Sequence, residues 1–163
     1  MRVTKQEIVI LTTMSIIGLA SSLIVIYELN VLGTLPPLCT LPNGPSIFGA
    51  RLNCAKVLLS SYSDIDGISL DLLAAIWFIM NLGLVIALVS VRRSIAKMIF
   101  RILFVWRFIG LAIVPYLIYL EFIVLHSICI YCTIMHGAII IDFIIITFLV
   151  FSEKSKIKRD IFG

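Results

Sequence analysis

Charged side chains are scarce in this 163-residue chain: Asp, Glu, Lys and Arg together make up 13% of it, whereas 61% of the residues are hydrophobic. Soluble domains carry about 25% charged residues, so this composition excludes a water-soluble globular protein. A helical span of a bilayer needs about 20 apolar residues. The length therefore accommodates four spans and leaves no room for a separate soluble domain.

Four apolar runs mark where those spans lie. Residues 8–27 and 72–91 contain no charge, residues 99–119 include Arg101 and Arg107, and residues 129–151 are interrupted only by His136 and Asp142. The first run also resembles a signal peptide, but its apolar stretch exceeds the usual length and no small-residue cleavage site follows, so we expect it to be retained. The runs predict an all-α integral membrane protein, a four-helix bundle that forms one membrane domain over residues 1–163.

Basic residues are absent from most of the chain and cluster in particular connections. Four of them, Arg92, Arg93, Lys97 and Arg101, lie between the second and third spans with no acidic residue nearby. The segment 28–71 instead has four acidic residues and two basic ones. Because basic loops stay in the cytoplasm, both termini are predicted to be cytoplasmic and segment 28–71 extracytoplasmic. The net charge of +4 is thus a topology signal, and no nucleic-acid partner is expected.

Cysteine is also rare, and its four positions are informative. Cys39 and Cys54 fall in the outer segment, whereas Cys129 and Cys132 fall where the fourth span begins. The predicted topology brings all four cysteines to one face of the bilayer. That face is the outer face of a prokaryotic plasma membrane or the lumenal face of an endoplasmic reticulum, and both environments permit disulfides. An even number of cysteines, divided between a loop and the membrane edge, favours thiol–disulfide exchange.

The strongest motif is Cys129-Ile130-Tyr131-Cys132 at a predicted helix start. Backbone N–H groups and the helix dipole favour a thiolate there, and the spacing allows a reducible disulfide. Three other interpretations remain open: a zinc site, small buried hydrophobic residues, and permanent structural disulfides. Zinc is disfavoured because Cys39 and Cys54 are far apart for a ligand pair, so we expect no metal.

The outer segment divides into two parts. Four of the five prolines lie between residues 33 and 45, which predicts irregular backbone around Cys39. From Ala50 to Ser61 apolar residues recur at helical spacing, which predicts a short amphipathic helix on the membrane surface that carries Cys54. Ser60 lies about one and a half turns beyond Cys54, either as a hydrogen-bond donor to the site or as an ordinary surface serine.

Two motifs resemble the vitamin K epoxide reductase family, including its bacterial and archaeal homologues. One is Cys54-x-x-Val57-x-x-Ser60-x-Tyr62 followed by Gly67-Ile68, and the other is Ser127-Ile128-Cys129-Ile130-Tyr131-Cys132 with His136. Together with the four predicted spans and Cys39, the resemblance covers nearly the whole chain. It implies a quinone-linked thiol oxidoreductase.

The resemblance also implies roles for particular residues. Electrons would enter from a separate reduced thioredoxin-like protein at a Cys39–Cys54 disulfide, since no thioredoxin-like domain is expected in this chain. Cys54 would then exchange with Cys129, and Cys132 would pass the electrons to ubiquinone, menaquinone or a vitamin K. Ser60 and His136 would hydrogen-bond near that quinone, although a histidine bonded to a neighbouring helix is an open alternative for His136.

Other functions stay open at this stage. Within the enzymes, the alternative is a vitamin K epoxide or quinone reductase. From another class, the alternative is a non-enzymatic membrane scaffold whose disulfides are structural. Arg107 and Asp142 lie at similar depths inside their spans, which predicts a structural ion pair, with a proton route to the quinone as the competing interpretation.

Overall fold

A computed structural model of the protein describes residues 5–39, 46–47, 50–91 and 93–162. Four helical segments are long and apolar enough to cross a membrane: Lys5–Leu32, Leu70–Ser90, Met98–Val124 and Ile130–Phe151. Many large apolar side chains on these helices are exposed, as a surface in contact with lipid requires. The predicted all-α, four-span membrane fold is confirmed.

The long helices have the following bounds. They are α1 (Lys5–Ile26), α3 (Leu70–Ser90), α4 (Arg93–Tyr119) and α5 (Ile130–Phe162). A π-helical turn continues α1 over Tyr27–Leu32, and another continues α4 over Leu120–Val124. Helix α1 packs on α3 and α5, and α4 packs on the same two, so the four spans form a closed ring.

Short elements connect the spans at one end of the bundle. They are a 3₁₀ turn (Pro37–Cys39), β1 (Ser46–Ile47), β2 (Ala50–Leu52), α2 (Cys54–Leu58), β3 (Asp64–Ile65), β4 (Ile68–Ser69) and β5 (Ser127–Ile128). Strand β2 lies between β1, which is antiparallel to it, and β5, which is parallel. Strands β3 and β4 form a hairpin whose turn residues, Asp66 and Gly67, both have positive φ, as a tight two-residue turn requires.

The predicted helix over residues 50–61 is wrong in its extent. Residues 50–52 are a strand, and the helix is confined to Cys54–Leu58. The helix begins at Cys54 because the Asn53 side chain accepts a hydrogen bond from the Lys56 backbone N–H (3.1 Å) and so caps it. Its position on the membrane surface stays a prediction. Around Cys39 the backbone forms a single 3₁₀ turn, and residues 40–45 lie outside the described part of the chain.

An apolar core fills the end of the bundle opposite these short elements. Its buried members are Leu11, Val85, Leu88, Ile99, Phe100, Leu103, Ile146 and Leu149, which come from all four spans. Nearer the middle, Gly18 of α1 lets the ring of Phe78 approach, since a Cβ at Gly18 would overlap that ring. Close packing of this kind stabilises helices in lipid, where burial from water contributes little.

A polar layer lies between this core and the short elements, with one residue from each span. The Asn81 amide donates to the Ser15 hydroxyl (2.8 Å) and to the Asp142 carboxylate (2.8 Å). Arg107 Nε donates to the Asn81 carbonyl oxygen (3.0 Å), and Arg107 Nη2 lies 3.7 Å from Asp142 Oδ2. All four side chains are fully buried. Hydrogen bonds from each helix to the next therefore fix their relative positions.

We expect Asp142→Leu to lower the free energy of unfolding by about 3–5 kcal/mol, because it leaves the Arg107 guanidinium buried without its counter-charge. The double variant Arg107→Leu/Asp142→Leu removes both charges and should recover most of that loss. Denaturant titration of the protein in detergent micelles measures both. A single variant as stable as the unchanged protein would contradict a structural ion pair.

Candidate active site

Two short strands hold the outer segment against the start of the fourth span. Strand β2 pairs in parallel with β5, so that Arg51 is opposite Ser127 and Leu52 is opposite Ile128. The Asn53 backbone N–H continues the ladder by donating to the Ile128 carbonyl (3.1 Å). Because the two strands are parallel, Cys54 and Cys129 both follow the same end of this ladder, and the pairing brings the two cysteines together.

Lys56 makes a second connection between the same two regions. Its ammonium group donates to the Leu125 carbonyl oxygen (2.6 Å), just after the π-helical turn that ends the third span. A cation at the carboxyl end of a helix interacts favourably with the helix dipole. Helix α2 is thus attached to both the third and the fourth span.

All four cysteines meet at this place. Cys39, Cys54 and Cys129 belong to one buried cluster, with Cys132 packed against it. Cys129 is fully buried, while Cys132 is partly exposed. Each of the four is a free thiol. Within the described ranges, no group of three or more His, Cys, Asp or Glu side chains is arranged to hold a metal ion.

Cys129 is the centre of the cluster. It immediately precedes α5, and its sulfur accepts a hydrogen bond from the backbone N–H of Cys132 (3.4 Å), in the manner of a helix-capping side chain. The pKa of the Cys129 thiol is strongly lowered, first by hydrogen bonds from the thiols of Cys132, Cys39 and Cys54, and further by that backbone N–H. Cys129 is therefore the thiolate of the group.

The pKa values of the two cysteines in the outer segment are shifted in the opposite direction to that of Cys129. The pKa of Cys39 and the pKa of Cys54 are both raised, because each thiol donates its hydrogen bond to Cys129 and because both are desolvated by burial. One thiolate is consequently surrounded by protonated thiols. A thiolate in contact with several sulfurs is the arrangement that thiol–disulfide exchange requires.

A pocket adjoins Cys132 on the other side. Its space amounts to about 650 Å³ when the part open to the surroundings is included. Apolar residues of α2, α3, the third span and α5 form most of its wall, and its polar residues are Ser60, Tyr62, Ser63, Asp71, Glu121, Cys132 and His136. A mostly apolar cavity with a few polar groups is suited to a flat, hydrophobic ligand that carries polar oxygens.

Ser60 and His136 both line this pocket, as does Cys132. The Ser60 hydroxyl donates to the Val57 carbonyl (2.8 Å), which leaves its oxygen able to accept a further hydrogen bond. His136 is buried one turn along α5 from Cys132. Arg107 and Asp142 do not line the pocket and lie deeper, in the polar layer. The structure thus brings six of the eight predicted residues to one place.

Two acidic residues of the pocket were not among the predicted site residues. Asp71 and Glu121 are only 7% and 4% exposed, although their sequence positions mark them as charges of the outer connections. Neither makes an ion pair within the described part of the chain. Both residues lie within one helical turn of the end of a span. At that position an acidic side chain can point into the bundle instead of toward water, and this is the sequence feature that could have identified them.

Comparison with known proteins adds the family. The model of the vitamin K epoxide reductase family matches residues 9–147. The chain belongs to that family. No curated protein and no solved structure matches it significantly. The matched range contains all four cysteines and the whole pocket lining.

Vitamin K epoxide reductase family members are membrane thiol oxidoreductases that use a quinone or vitamin K. The four spans, the sulfur cluster and the pocket next to Cys132 fit that chemistry. A quinone is a two-electron, two-proton acceptor, and its flat ring suits the mostly apolar wall. Oxidoreductase activity is accordingly the general activity of this chain.

In the reduced protein, we expect Cys129 to remain a thiolate as the pH falls below about 8.5, the usual pKa of a thiol. The pKa of Cys129 is lowered because three thiols donate hydrogen bonds to its sulfur and so stabilise the charged form. Ultraviolet thiolate absorbance against pH measures this, and the low-pH signal should vanish in Cys129→Ser. Cys54→Ala removes one donor and should raise the pKa of Cys129. Titration of all the thiols near pH 8.5 would contradict this assignment.

Proposed function

We propose that the chain is a quinone-linked thiol oxidase that reoxidises a separate thioredoxin-like protein for disulfide bond formation. The single observation that carries the proposal is the position of Cys132, which packs against the sulfur cluster and also lines the pocket. A side chain that contacts both can receive electrons from the sulfur cluster and deliver them to a quinone in the pocket. Cys39, Cys54, Cys129 and Cys132 are the proposed catalytic residues.

Electrons enter at the outer pair. A thiolate of the reduced partner attacks the Cys39–Cys54 disulfide, and the partner's second thiol resolves the mixed disulfide. The partner leaves oxidised, and Cys39 and Cys54 leave as thiols. Cys39 suits the entry role because it lies in the outer segment on a 3₁₀ turn, closed by a hydrogen bond from its N–H to the Pro36 carbonyl (2.8 Å), and is not itself part of the β2–β5 ladder.

Transfer to the inner pair uses the contact between Cys54 and Cys129. The Cys54 thiolate attacks the Cys129 sulfur of a Cys129–Cys132 disulfide and releases Cys132. Cys39 then attacks the Cys54 sulfur, which re-forms the outer disulfide and releases Cys129. The hydrogen bond from the Cys132 thiol, which is the largest cause of the lowered pKa of Cys129, is still available in this second step and favours Cys129 as the leaving group.

The inner dithiol is then oxidised at the pocket. Cys129 and Cys132 form their disulfide while a quinone takes up two electrons and two protons and becomes the hydroquinone. Ser60 and His136 are proposed to orient the ring, because both are polar residues of the pocket wall. The pocket lining suits ubiquinone, menaquinone and vitamin K equally, since all three combine a flat ring with an apolar tail.

We further propose that the chain works as one membrane domain in a prokaryotic plasma membrane, with both termini in the cytoplasm. The cluster of basic residues between the second and third spans in the sequence supports this orientation, since the end of α3 and the start of α4 lie at the end of the bundle opposite the cysteines. The active site then faces the oxidising side, where a secreted thiol partner is available.

The test is an assay of the purified protein with a reduced thioredoxin-like donor and a quinone. Hydroquinone should form in step with oxidation of the donor. We expect Cys129→Ala and Cys132→Ala to lose this activity and to remain folded, because each removes one sulfur from a cluster that also packs through apolar neighbours. Ser90→Ala is the control, since the Ser90 hydroxyl donates to the Ile86 carbonyl of its own helix (2.9 Å), far from the site.

Other results would assign a different function. Reduction of a vitamin K epoxide with no oxidation of a thioredoxin-like protein would make the chain an epoxide reductase. Cysteine variants that unfold, in a protein without measurable redox activity, would make it a scaffold with structural disulfides. Either result contradicts the proposal.

A further inference from the structure

A buried carboxylate lies against the reacting sulfurs and has no place in the relay described so far. Glu121 is 4% exposed and belongs to the π-helical turn Leu120–Val124, which prolongs the third span. Such turns occur often at functional sites. An ionisable side chain inside a membrane protein is costly to bury, so its presence there points to a function.

The contacts of Glu121 point to the inner cysteine pair. Its carboxylate interacts with the Cys132 thiol and with the backbone N–H of Cys129. It also lines the pocket beside Cys132. One carboxylate therefore touches the sulfur that carries the reacting proton and faces the cavity where the proton acceptor binds.

The other titratable groups of the pocket are less well placed for this proton. They are Tyr62, Asp71 and His136. Asp71 lies at the first turn of α3, and its carboxylate has a hydrogen bond with its own backbone N–H. Glu121, in contrast, lies within hydrogen-bond reach of the Cys132 thiol, as an alternative to Cys129 as the acceptor of its single proton.

We propose that Glu121 is the proton-transfer residue of quinone reduction, an inference that rests on the proposed function. Its carboxylate accepts the thiol proton of Cys132 as the Cys129–Cys132 disulfide forms, and it passes that proton to a quinone oxygen. The second proton comes from water through the partly open pocket and goes to the other quinone oxygen, because Cys129 is already a thiolate. The inner pair loses two electrons and one proton, and the quinone gains two electrons, that proton and the proton from water, so the step balances.

Removal of the carboxyl group tests this. Glu121→Gln keeps the size of the side chain and its hydrogen bonds but cannot carry the proton, so we expect kcat for quinone reduction to fall at least about 100-fold with little change in KM. Glu121→Asp keeps the carboxyl group and should retain a substantial part of the rate. Glu28→Gln is the matched control, because Glu28 also lies in a π-helical turn at this end of the bundle but outside the pocket lining.

A second readout needs no quinone. Infrared difference spectra between the oxidised and reduced protein report the protonation of individual carboxyl groups. We expect a carboxylic-acid band that accompanies disulfide formation, is lost in Glu121→Gln and remains in Glu28→Gln. A purely structural role for Glu121 would not produce such a band.

The outcomes separate this inference from the proposed function. If the unchanged protein reduces no quinone, the proposed function fails. If it does so, and Glu121→Gln keeps both its rate and the infrared band, Glu121 is not the proton-transfer residue. A Glu121→Gln variant whose loss of rate appears only in KM would equally overturn the inference.

Discussion

The hydrogen bonds between β2 and β5 determine which sulfur atoms can meet. These strands are two and three residues long, yet they connect the outer segment to the residues just before Cys129. Lys56 reinforces the attachment at the end of the third span. With Cys54 held in this way, exchange with Cys129 becomes an intramolecular step, and the entropy of bringing the two together is lost on folding and not during each turnover.

The bundle is organised in layers along the membrane. The apolar core at the far end and the polar layer of Ser15, Asn81, Arg107 and Asp142 join all four spans. The reactive groups lie above this layer, where the π-helical turn, the 3₁₀ turn and the short strands allow irregular backbone. A rigid base of this kind keeps the Cys129 thiolate, its thiol donors and the pocket in fixed relation, which electron transfer over short distances requires.

Hydropathy and cysteine spacing predicted much of this from the sequence. The four apolar runs match the four spans to within a few residues, because span length and apolar composition are properties of the local sequence. The cysteine pair at a helix start was equally local. The β2–β5 ladder was not predictable, since it joins segments more than 70 residues apart and each strand is too short to show a pattern. Residues 50–52 were assigned to a helix for that reason. Glu121 was missed because the third span continues past Tyr119 into a π-helical turn, which places an apparent loop charge inside the protein.

The most direct measurement of the relay is to trap its central intermediate. In Cys132→Ser, the Cys129 thiolate can attack the Cys54 sulfur of the Cys39–Cys54 disulfide and release Cys39. Cys132 is then absent and cannot resolve the product, so a disulfide should accumulate between Cys54 and Cys129. Mass spectrometry of the digested protein identifies the linked peptides. A predominant Cys54–Cys129 disulfide is the predicted result. A disulfide between Cys39 and Cys129 in its place would contradict this relay. Labelling with a membrane-impermeant thiol reagent would contradict it too if the reagent placed the two cysteine pairs on opposite sides of the bilayer.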